Sequence, residues 1–329
     1  MMRYILSPYT NPCWNLALEQ YVFDSMDKQY DYFMLWQNYN AVIVGKNQNT
    51  AAEVNAAYIK EHGINVVRRL SGGGAVYHDL GNLNFTFIAD TQASKLDFST
   101  FCKPVVRALD AFGVCAEISG RNDMTIDGKK FSGNSMYMKK NRIMHHGTIM
   151  YDSDLDVLSQ ALNVSRDKVE SKGIKSVSSR VTNIKDYMKN DWPIEHFIQS
   201  LSEFMRQEFE MEDYFPTDED LAAAQKLCDE RYSQWEWNYG LSLQYNVFKE
   251  RRFDGCGKVE ISIEANKQCI ADIKISGDFF GNGDLSELSE MLKGKYLREE
   301  DLLAALKDVC VEKYIHNLSK ENLVALLME

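Results

Sequence analysis

Two arginines, Arg68 and Arg69, stand just before three consecutive glycines, Gly72 to Gly74. Glycine weakens a strand interior, so three in a row between apolar segments need a reason. Without side chains the backbone can approach a ligand closely. Glycine also accepts the positive φ of a turn whose N–H groups cradle an anion. Guanidinium beside backbone N–H is a recurrent way to hold a carboxylate or a phosphate. The same three glycines also suit a plain hairpin turn. A second candidate is Lys130. It follows Asp127-Gly128, a strong two-residue turn signal, so it lies on a returning strand with Lys129 on the opposite face. Ser132, Gly133 and Ser135 come next and leave room for a ligand. A compact ammonium suits holding two anionic groups together, such as a carboxylate and an α-phosphate. His145 and His146 lie on the strand paired with that hairpin. Neighbours on a strand face opposite ways, so one of them can hydrogen-bond a ligand but the two cannot share a metal. A structural histidine is the other reading.

These residues need elements to position them. Asn11 is a helix N-cap candidate with Pro12 at the first helical position. Trp14, Leu18, Tyr21, Val22 and Met26 then recur at helical spacing. Strands are predicted over 32–36, 41–44, 64–69, 82–89 and 114–118. A helix from Phe101 to Phe112, stopped by Gly113, accommodates Pro104 only if it starts near Phe101. Hairpins turn at Asp127-Gly128 and near Lys140-Asn141. Ile194, Phe197, Ile198, Leu201 and Phe204 share one helical face, and Thr217 with Asp220 resembles a capping box. Beyond Trp235, Val259, Ile261 and Ile263 alternate with polar residues. Asn266-Lys267 is a turn candidate, with Ile273 and Ile275 on the return. Helices are predicted near 285–292, 302–314 and 321–327. That is a small α+β unit of its own.

The chain has 329 residues, enough for two domains, and a formal net charge of −11. That balance argues against a grip on nucleic acid or an anionic membrane as the main task. No apolar run approaches the roughly 20 residues of a membrane helix. The start lacks the apolar core of a signal peptide. Seven scattered cysteines without a C-x-x-C pair indicate neither zinc site nor disulfide framework, so reduced thiols in the cytoplasm are expected. Charge is uneven: residues 121–142 carry six basic side chains against two acids, and 166–185 repeat that ratio. A basic funnel in an acidic protein suits a small polyanion, although solvated hairpin surfaces have the same composition.

Taken in order, five segments resemble the lipoate-protein ligase family: RRLSGGGAVYHDLGN (68–82), SGRNDMTIDGKKFSGNS (119–135), HHGTIMYD (145–152), SKGIKSVSSRVTN (171–183) and WEWNYG (235–240). The small terminal unit is similar to that family's accessory domain. The resemblance implies an α/β (α+β) catalytic domain of biotin/lipoate-ligase type over 1–243, with mixed sheets and flanking helices. It implies an accessory domain over 253–329 and a linker at 244–252. It further implies that ATP and lipoate form lipoyl-AMP and pyrophosphate, with Mg²⁺ accompanying ATP. A lysine of a lipoyl domain then takes the acyl group, on a 2-oxoacid dehydrogenase subunit or the glycine-cleavage carrier, with the ligase acting as a monomer. Carried over by position, Arg69 contacts the nucleotide. The backbone of Gly74, Ala75, Val76 and Tyr77 lies over the phosphates, and Lys130 bridges carboxylate and phosphate. Asp123 is implied in the adenylate pocket and as the candidate metal contact, no metal set being assigned. Lipoate is expected against Lys130, Gly73 and His146. Leu70 departs from the family's small residue and removes one hydroxyl from the expected contacts. An apolar tail calls for a tunnel, with Trp36 and Val44 as candidate walls. The alternative on the same fold is an octanoyl- or lipoyl-transferase that works without ATP. Some of those relatives use a cysteine nucleophile, and no cysteine lies between Cys115 and Cys228. The GRGRxGR-type loop of biotin ligases is absent. Outside enzymes altogether stands a non-catalytic binding module.

Overall fold

The structure, a computed structural model, describes residues 1–91, 97–120, 122–163, 180–239, 247–266 and 269–329. The KGIKSVSS run at 172–179, Arg121, Lys267 and positions 244–246 of the expected linker lie outside the described residues. In chain order the strands are β1 (Met2–Leu6), β2 (Asp31–Trp36), β3 (Ala41–Val44), β4 (Asn65–Arg68), β5 (Val76–His78), β6 (Asn82–Asp90), β7 (Glu117–Ser119), β8 (Asp123–Ile126), β9 (Lys129–Lys139), β10 (Arg142–Met150), β11 (Met211–Asp213), β12 (Val247–Phe253), β13 (Gly257–Asn266) and β14 (Cys269–Gly277).

An eight-stranded sheet runs β11-β1-β2-β6-β10-β9-β8-β7. Its β1 pairs in parallel with β2 and β11, and the remaining neighbours are antiparallel, so the sheet is mixed as expected. Side-chain alternation builds a layer on each face. Tyr32, Met34 and Trp36 of β2 pack with Leu16, Leu18 and Phe23 of the helix Pro12–Asp24. Phe33 and Leu35 point the other way, toward Val105 and Leu109 of the helix Ser99–Ala111 and Phe197 and Leu201 of the helix Ile194–Phe209. The first helix is capped as the sequence predicts, with Asn11 Oδ1 accepting from Trp14 N at 3.1 Å. The second starts at Ser99 rather than near Phe101. Pro104 sits buried inside it, and burial of Val105 and Leu109 offsets the hydrogen bond that proline cannot make. Asp127 and Gly128 both have positive φ (50° and 72°), the conformation a tight twisted hairpin needs between β8 and β9.

A three-stranded sheet, β4-β3-β5, carries the glycine turn. β3 is parallel to β4 and antiparallel to β5, so the chain must cross the end of β3 between its neighbours. The crossing is so close that a Cβ on Gly45 would lie 2.1 Å from Gly73 O.

The antiparallel sheet β12-β13-β14 and the helices Leu285–Leu292, Glu299–Ala305 and Lys320–Met328 form the C-terminal unit. Val259, Ile261, Ile263, Ile273 and Ile275 supply its core, as their alternation predicts. From Val247 onward the expected linker is strand β12, paired from Val247↔Ile263 to Phe253↔Gly257. It is an edge strand exposed along most of its length, so its charged residues imitate a linker. The helix expected over 302–314 ends at Ala305, and a short 3₁₀ turn at Val311–Lys313 follows.

Successive phenylalanines join the two units. Phe279 is buried in the C-terminal core, while Phe280 enters the catalytic core and packs on Phe98 at 5.1 Å between ring centroids. Phe280→Ala should therefore cost about 3–5 kcal/mol, read as a lowered urea midpoint with retained secondary structure. An unchanged midpoint would show that this ring does not hold the units together.

Candidate active site

A cavity of about 220 Å³ opens between the glycine turn and strands β9 and β10. Arg69, Gly73, Gly74, Ala75, Val76, Asp123, Lys130 and His146 all line it. The sequence names these residues from three separate segments, and the fold brings them together. Tyr77 is the exception. It follows Val76 on β5, so its side chain turns to the opposite face, where its OH donates to Asn40 Oδ1 at 3.2 Å. Val44 likewise faces away, and its neighbour Ile43 lines the cavity beside Leu16 and Trp36.

Arg69 lies beneath the turn. Its side chain is nearly buried, 6% exposed, and donates to Ile43 O (3.1 Å), Gly72 O (2.6 Å), Gly74 O (2.8 Å) and Ser71 Oγ (3.1 Å). The guanidinium therefore takes up the turn's carbonyl oxygens, and Gly73 adopts φ +87°, which side chains rarely tolerate. Burial lowers the Arg69 pKa to about 10. A buried charge requires compensation. Ser71 Oγ lies 2.6 Å from His146 Nε2, and His146 Nδ1 lies 2.8 Å from Glu19 Oε1. Glu19 is 2% exposed and also accepts from Thr86 Oγ1 at 2.7 Å, which in turn accepts from Trp36 Nε1 at 2.9 Å. This chain satisfies every member in one sense: Nδ1–H of His146 donates to the carboxylate and Nε2 accepts from Ser71. It links the Arg69 cation to the Glu19 anion. Glu19 and Ser71 were not foreseen. The available signal is an acid placed among the apolar residues of a helix that is buried along most of its length.

Lys130 Nζ forms an ion pair with Asp123 Oδ1 at 2.7 Å, and both side chains are about a third exposed. The amine lies flat over β9, where a Cβ on Gly133 would come within 3.0 Å of Nζ. Its backbone is held by the SRVTN segment: Lys130 N donates to Arg180 O (2.8 Å) and Thr182 N to Lys130 O (2.9 Å). Lys129 is exposed, so alternation sorts the two lysines. Asn122 and Asn134, also unforeseen, clasp each other across β8 and β9, with Asn122 Nδ2 donating to Asn134 O at 2.6 Å. Ser135 Oγ donates to Gly72 O at 2.7 Å and ties β9 to the turn. Asp278 of the C-terminal unit also lines the cavity. Gly73 N donates to Phe279 O at 3.2 Å, and a Cβ on Gly72 would meet that oxygen at 2.4 Å.

His145 takes the structural role. It is fully buried among Phe85, Phe98 and Phe101, with Nε2 donating to Asn134 Oδ1 at 3.1 Å. His78 lines the cavity, receives Asn38 Nδ2 on Nδ1 at 3.1 Å, and has no partner for Nε2 among the described residues. Burial pushes both rings down to about 3. When the chain unfolds below the ordinary histidine value, each ring takes up a proton. Their contribution is therefore complete above about pH 6.5 and is lost as pH falls toward 3, by about 1.4 kcal/mol per pH unit per histidine. His145→Gln should reduce the pH slope of unfolding free energy between pH 6 and 4.5 by about that amount. Equal slopes in the two proteins would mean that the ring is protonated in place.

The family model described as the lipoyl protein ligase A/B catalytic domain matches residues 11–206. A second, the bacterial lipoate protein ligase C-terminus, matches residues 242–327. The chain is 43% identical to lipoate-protein ligase LplJ of Bacillus subtilis, over 96% of this chain and 97% of that protein. It is 43% identical to lipoate-protein ligase 1 of Staphylococcus aureus, over 97% of each. Among solved structures, LipL1 of P. falciparum in complex with lipoate superposes with a TM-score of 0.81 at 25% identity, covering 100% of this chain and 98% of that one. A lipoate-protein ligase A bound with ATP gives 0.63 at 27% identity, covering 74% and 100%. A bi-partite ligase of Thermoplasma acidophilum, described with its E2 lipoyl domain, gives 0.64 at 30% identity, covering 74% and 98%.

Proposed function

This chain belongs to the lipoate-protein ligase family, and from that premise we propose how its own residues carry the reaction. A lipoate carboxylate oxygen attacks the α-phosphorus of ATP, the bond to pyrophosphate breaks, and lipoyl-AMP forms. The ε-amine of an acceptor lysine then attacks the acyl carbon and loses a proton, and AMP leaves. The single observation carrying this reading is that Lys130 shares one cavity with the Gly73–Gly74 turn and with apolar walls from Leu16, Trp36 and Ile43. Adenylation joins two anions, so its barrier is largely repulsion and positioning. The Lys130 ammonium exchanges Asp123 for the carboxylate and the α-phosphate and holds them together. Arg69 acts through the turn, since its N–H groups are committed to the turn's carbonyls and Ser71. The lipoyl tail lies along Trp36, with His146 beside it. None of these steps needs a covalent nucleophile.

Mg²⁺ that arrives with ATP offsets the triphosphate charge. Among the described residues no group of three metal-ligating side chains exists. Asp123, a carboxylate on the cavity wall, would hold the ion together with the nucleotide's phosphates, and the ion would supply charge neutralisation there. Lipoyl domains are the acceptors we propose, on a chain that works as a monomer in the cytoplasm, where ATP is available. No helix among the described residues is long and apolar enough to cross a membrane.

Lys130→Ala should abolish lipoate-dependent ATP/pyrophosphate exchange, by at least about a hundredfold given the charge it removes from the reacting anions, while the protein stays folded. Exchange at the wild-type rate would overturn the assignment. Absence of exchange in the wild type, with acyl transfer between carriers intact, would favour the transferase.

We also propose that residues 1–243 and the C-terminal unit change their mutual position between adenylation and transfer. The Phe279 carbonyl occupies the Gly73 amide, and Asp278 stands on the cavity wall. Small-angle scattering with and without a non-hydrolysable lipoyl-adenylate analogue should give different curves; superimposable curves count against the motion.

A further inference from the structure

A second cavity, of about 420 Å³, lies on the seam between the catalytic and C-terminal units. Its lining brings cations from both sides: Lys46 and Arg68 from the first, Lys274 from the second. Arg68 is 2% exposed and is the largest fully buried side chain. It donates to Gly45 O (2.8 Å), Lys46 O (3.0 Å), Gln48 O (2.8 Å), Thr50 Oγ1 (2.6 Å), Trp237 O (2.9 Å) and Asn238 O (3.2 Å). All of these acceptors are neutral. Unlike Arg69, it has no carboxylate at the end of a chain.

Lys274 sits between Ile273 and Ile275 on β14. Those two point into the C-terminal core, so the amine leaves from the opposite face, toward the catalytic unit. Burial is the first cause of its lowered pKa, about 8, and Arg68 across the seam is the second. Lys46 is likewise lowered by burial. Among the described residues neither amine has an ion pair. The acids at this cavity stand at its mouth. Glu236, Asp284 and Glu290 are all exposed. Asp284 caps a helix through Ser286 N and acts on Lys46 only at longer range, and Glu290 pairs with Lys293, a further lining cation that Asp272 also holds. The floor is therefore cationic and the rim acidic.

The two units bring like charges together at this part-buried seam, offset only at longer range by Asp284 on Lys46 and Asp272 on Lys274, so an anion between them is stabilising. We propose that this seam binds a dianionic phosphate group, held jointly by Lys46 and Lys274 over the buried Arg68. Two unpaired ammoniums match a divalent oxyanion, and the cavity has room for a substituent beyond it, against Trp237 and Leu285. A phosphate there joins the two units and favours their docked arrangement. Pyrophosphate and AMP, the products of the reaction proposed above, carry this chemistry, but the binding itself does not depend on that reading.

The test is calorimetric titration and thermal unfolding of the full chain with sodium phosphate, sodium pyrophosphate and AMP, each against sodium chloride at equal ionic strength. At least one of the three should bind and raise the unfolding temperature. Lys274→Met and Lys46→Met should each weaken that binding about tenfold or more, since each removes one charge-assisted contact, and Lys274→Arg should retain it. Lys130→Ala should bind inorganic phosphate as the wild type does and, with pyrophosphate or AMP, should keep the binding component that Lys274→Met removes, which separates the seam from the active-site cavity. The proposal is overturned if none of the three differs from chloride. It also falls if the Met variants, folded by circular dichroism, bind as tightly as the wild type, or if Lys130→Ala abolishes the binding of inorganic phosphate. Which of the three binds tells inorganic phosphate, pyrophosphate and nucleotide apart. Should a Met variant fail to fold, loss of binding in Lys274→Glu with retention in Lys274→Arg decides the same point.

Discussion

The site depends on the burial of one guanidinium. Arg69 lies under the turn at Gly72–Gly74, with its side chain nearly buried. A buried arginine leaves five donors to satisfy and a charge to offset. The donors go to Ile43, Ser71, Gly72 and Gly74; the charge is answered through Ser71 and His146 by Glu19, itself buried. Breaking any link leaves a polar group stranded in a low-dielectric interior, which costs more than the link itself contributes. A glycine turn has little intrinsic preference for one shape, because glycine samples so many backbone states. Here the shape is imposed from below, by hydrogen bonds to carbonyl oxygens.

The same chain places His146. The histidine lines the cavity with one ring nitrogen fixed by Ser71 and the other by Glu19. Both ring nitrogens are thereby committed, which fixes the ring's orientation on the cavity wall. Its neighbour His145 takes the other face of β10 and is buried among phenylalanines. Alternation along a single strand thus divides two identical side chains between site and core, just as it divides Lys130 from Lys129 on β9.

That alternation explains how much was legible in the sequence. Period-two patterning and turn chemistry put Gly73, Lys130 and His146 on turns and strands, because each signal is local, and only the family resemblance joined them at one site. Alternation was not applied to Val44, a candidate wall whose side chain leaves the cavity, and it sends the Tyr77 side chain away too, although that residue is expected to act through its backbone. What stayed hidden is long-range. Glu19 lies 127 positions from His146, and nothing local marks them as partners. Strand β12 was read as a linker because an exposed edge strand needs no apolar face. Arg68 looked like a second anion-holding charge. Its place on β4 instead sends it to the opposite side, where it pins the loop after β3 to the helix Trp235–Asn238.

The contact between the units also bears on chemistry. One N–H cannot serve two acceptors at full strength, so the Gly73 amide that meets the Phe279 carbonyl is unavailable to a phosphate oxygen. Exchanging that neutral acceptor for an anion strengthens the bond, because hydrogen bonds to charged groups are roughly twice as strong. The exchange is opposed by withdrawal of Phe280 from the catalytic core, which costs several kcal/mol. A single amide bond, at about 1 kcal/mol net, cannot drive that withdrawal. Several phosphate contacts acting together can, so the motion we propose requires most of the turn and Lys130 to engage the nucleotide at once. On that proposal, partial ligands, which supply fewer contacts, leave Phe280 in place.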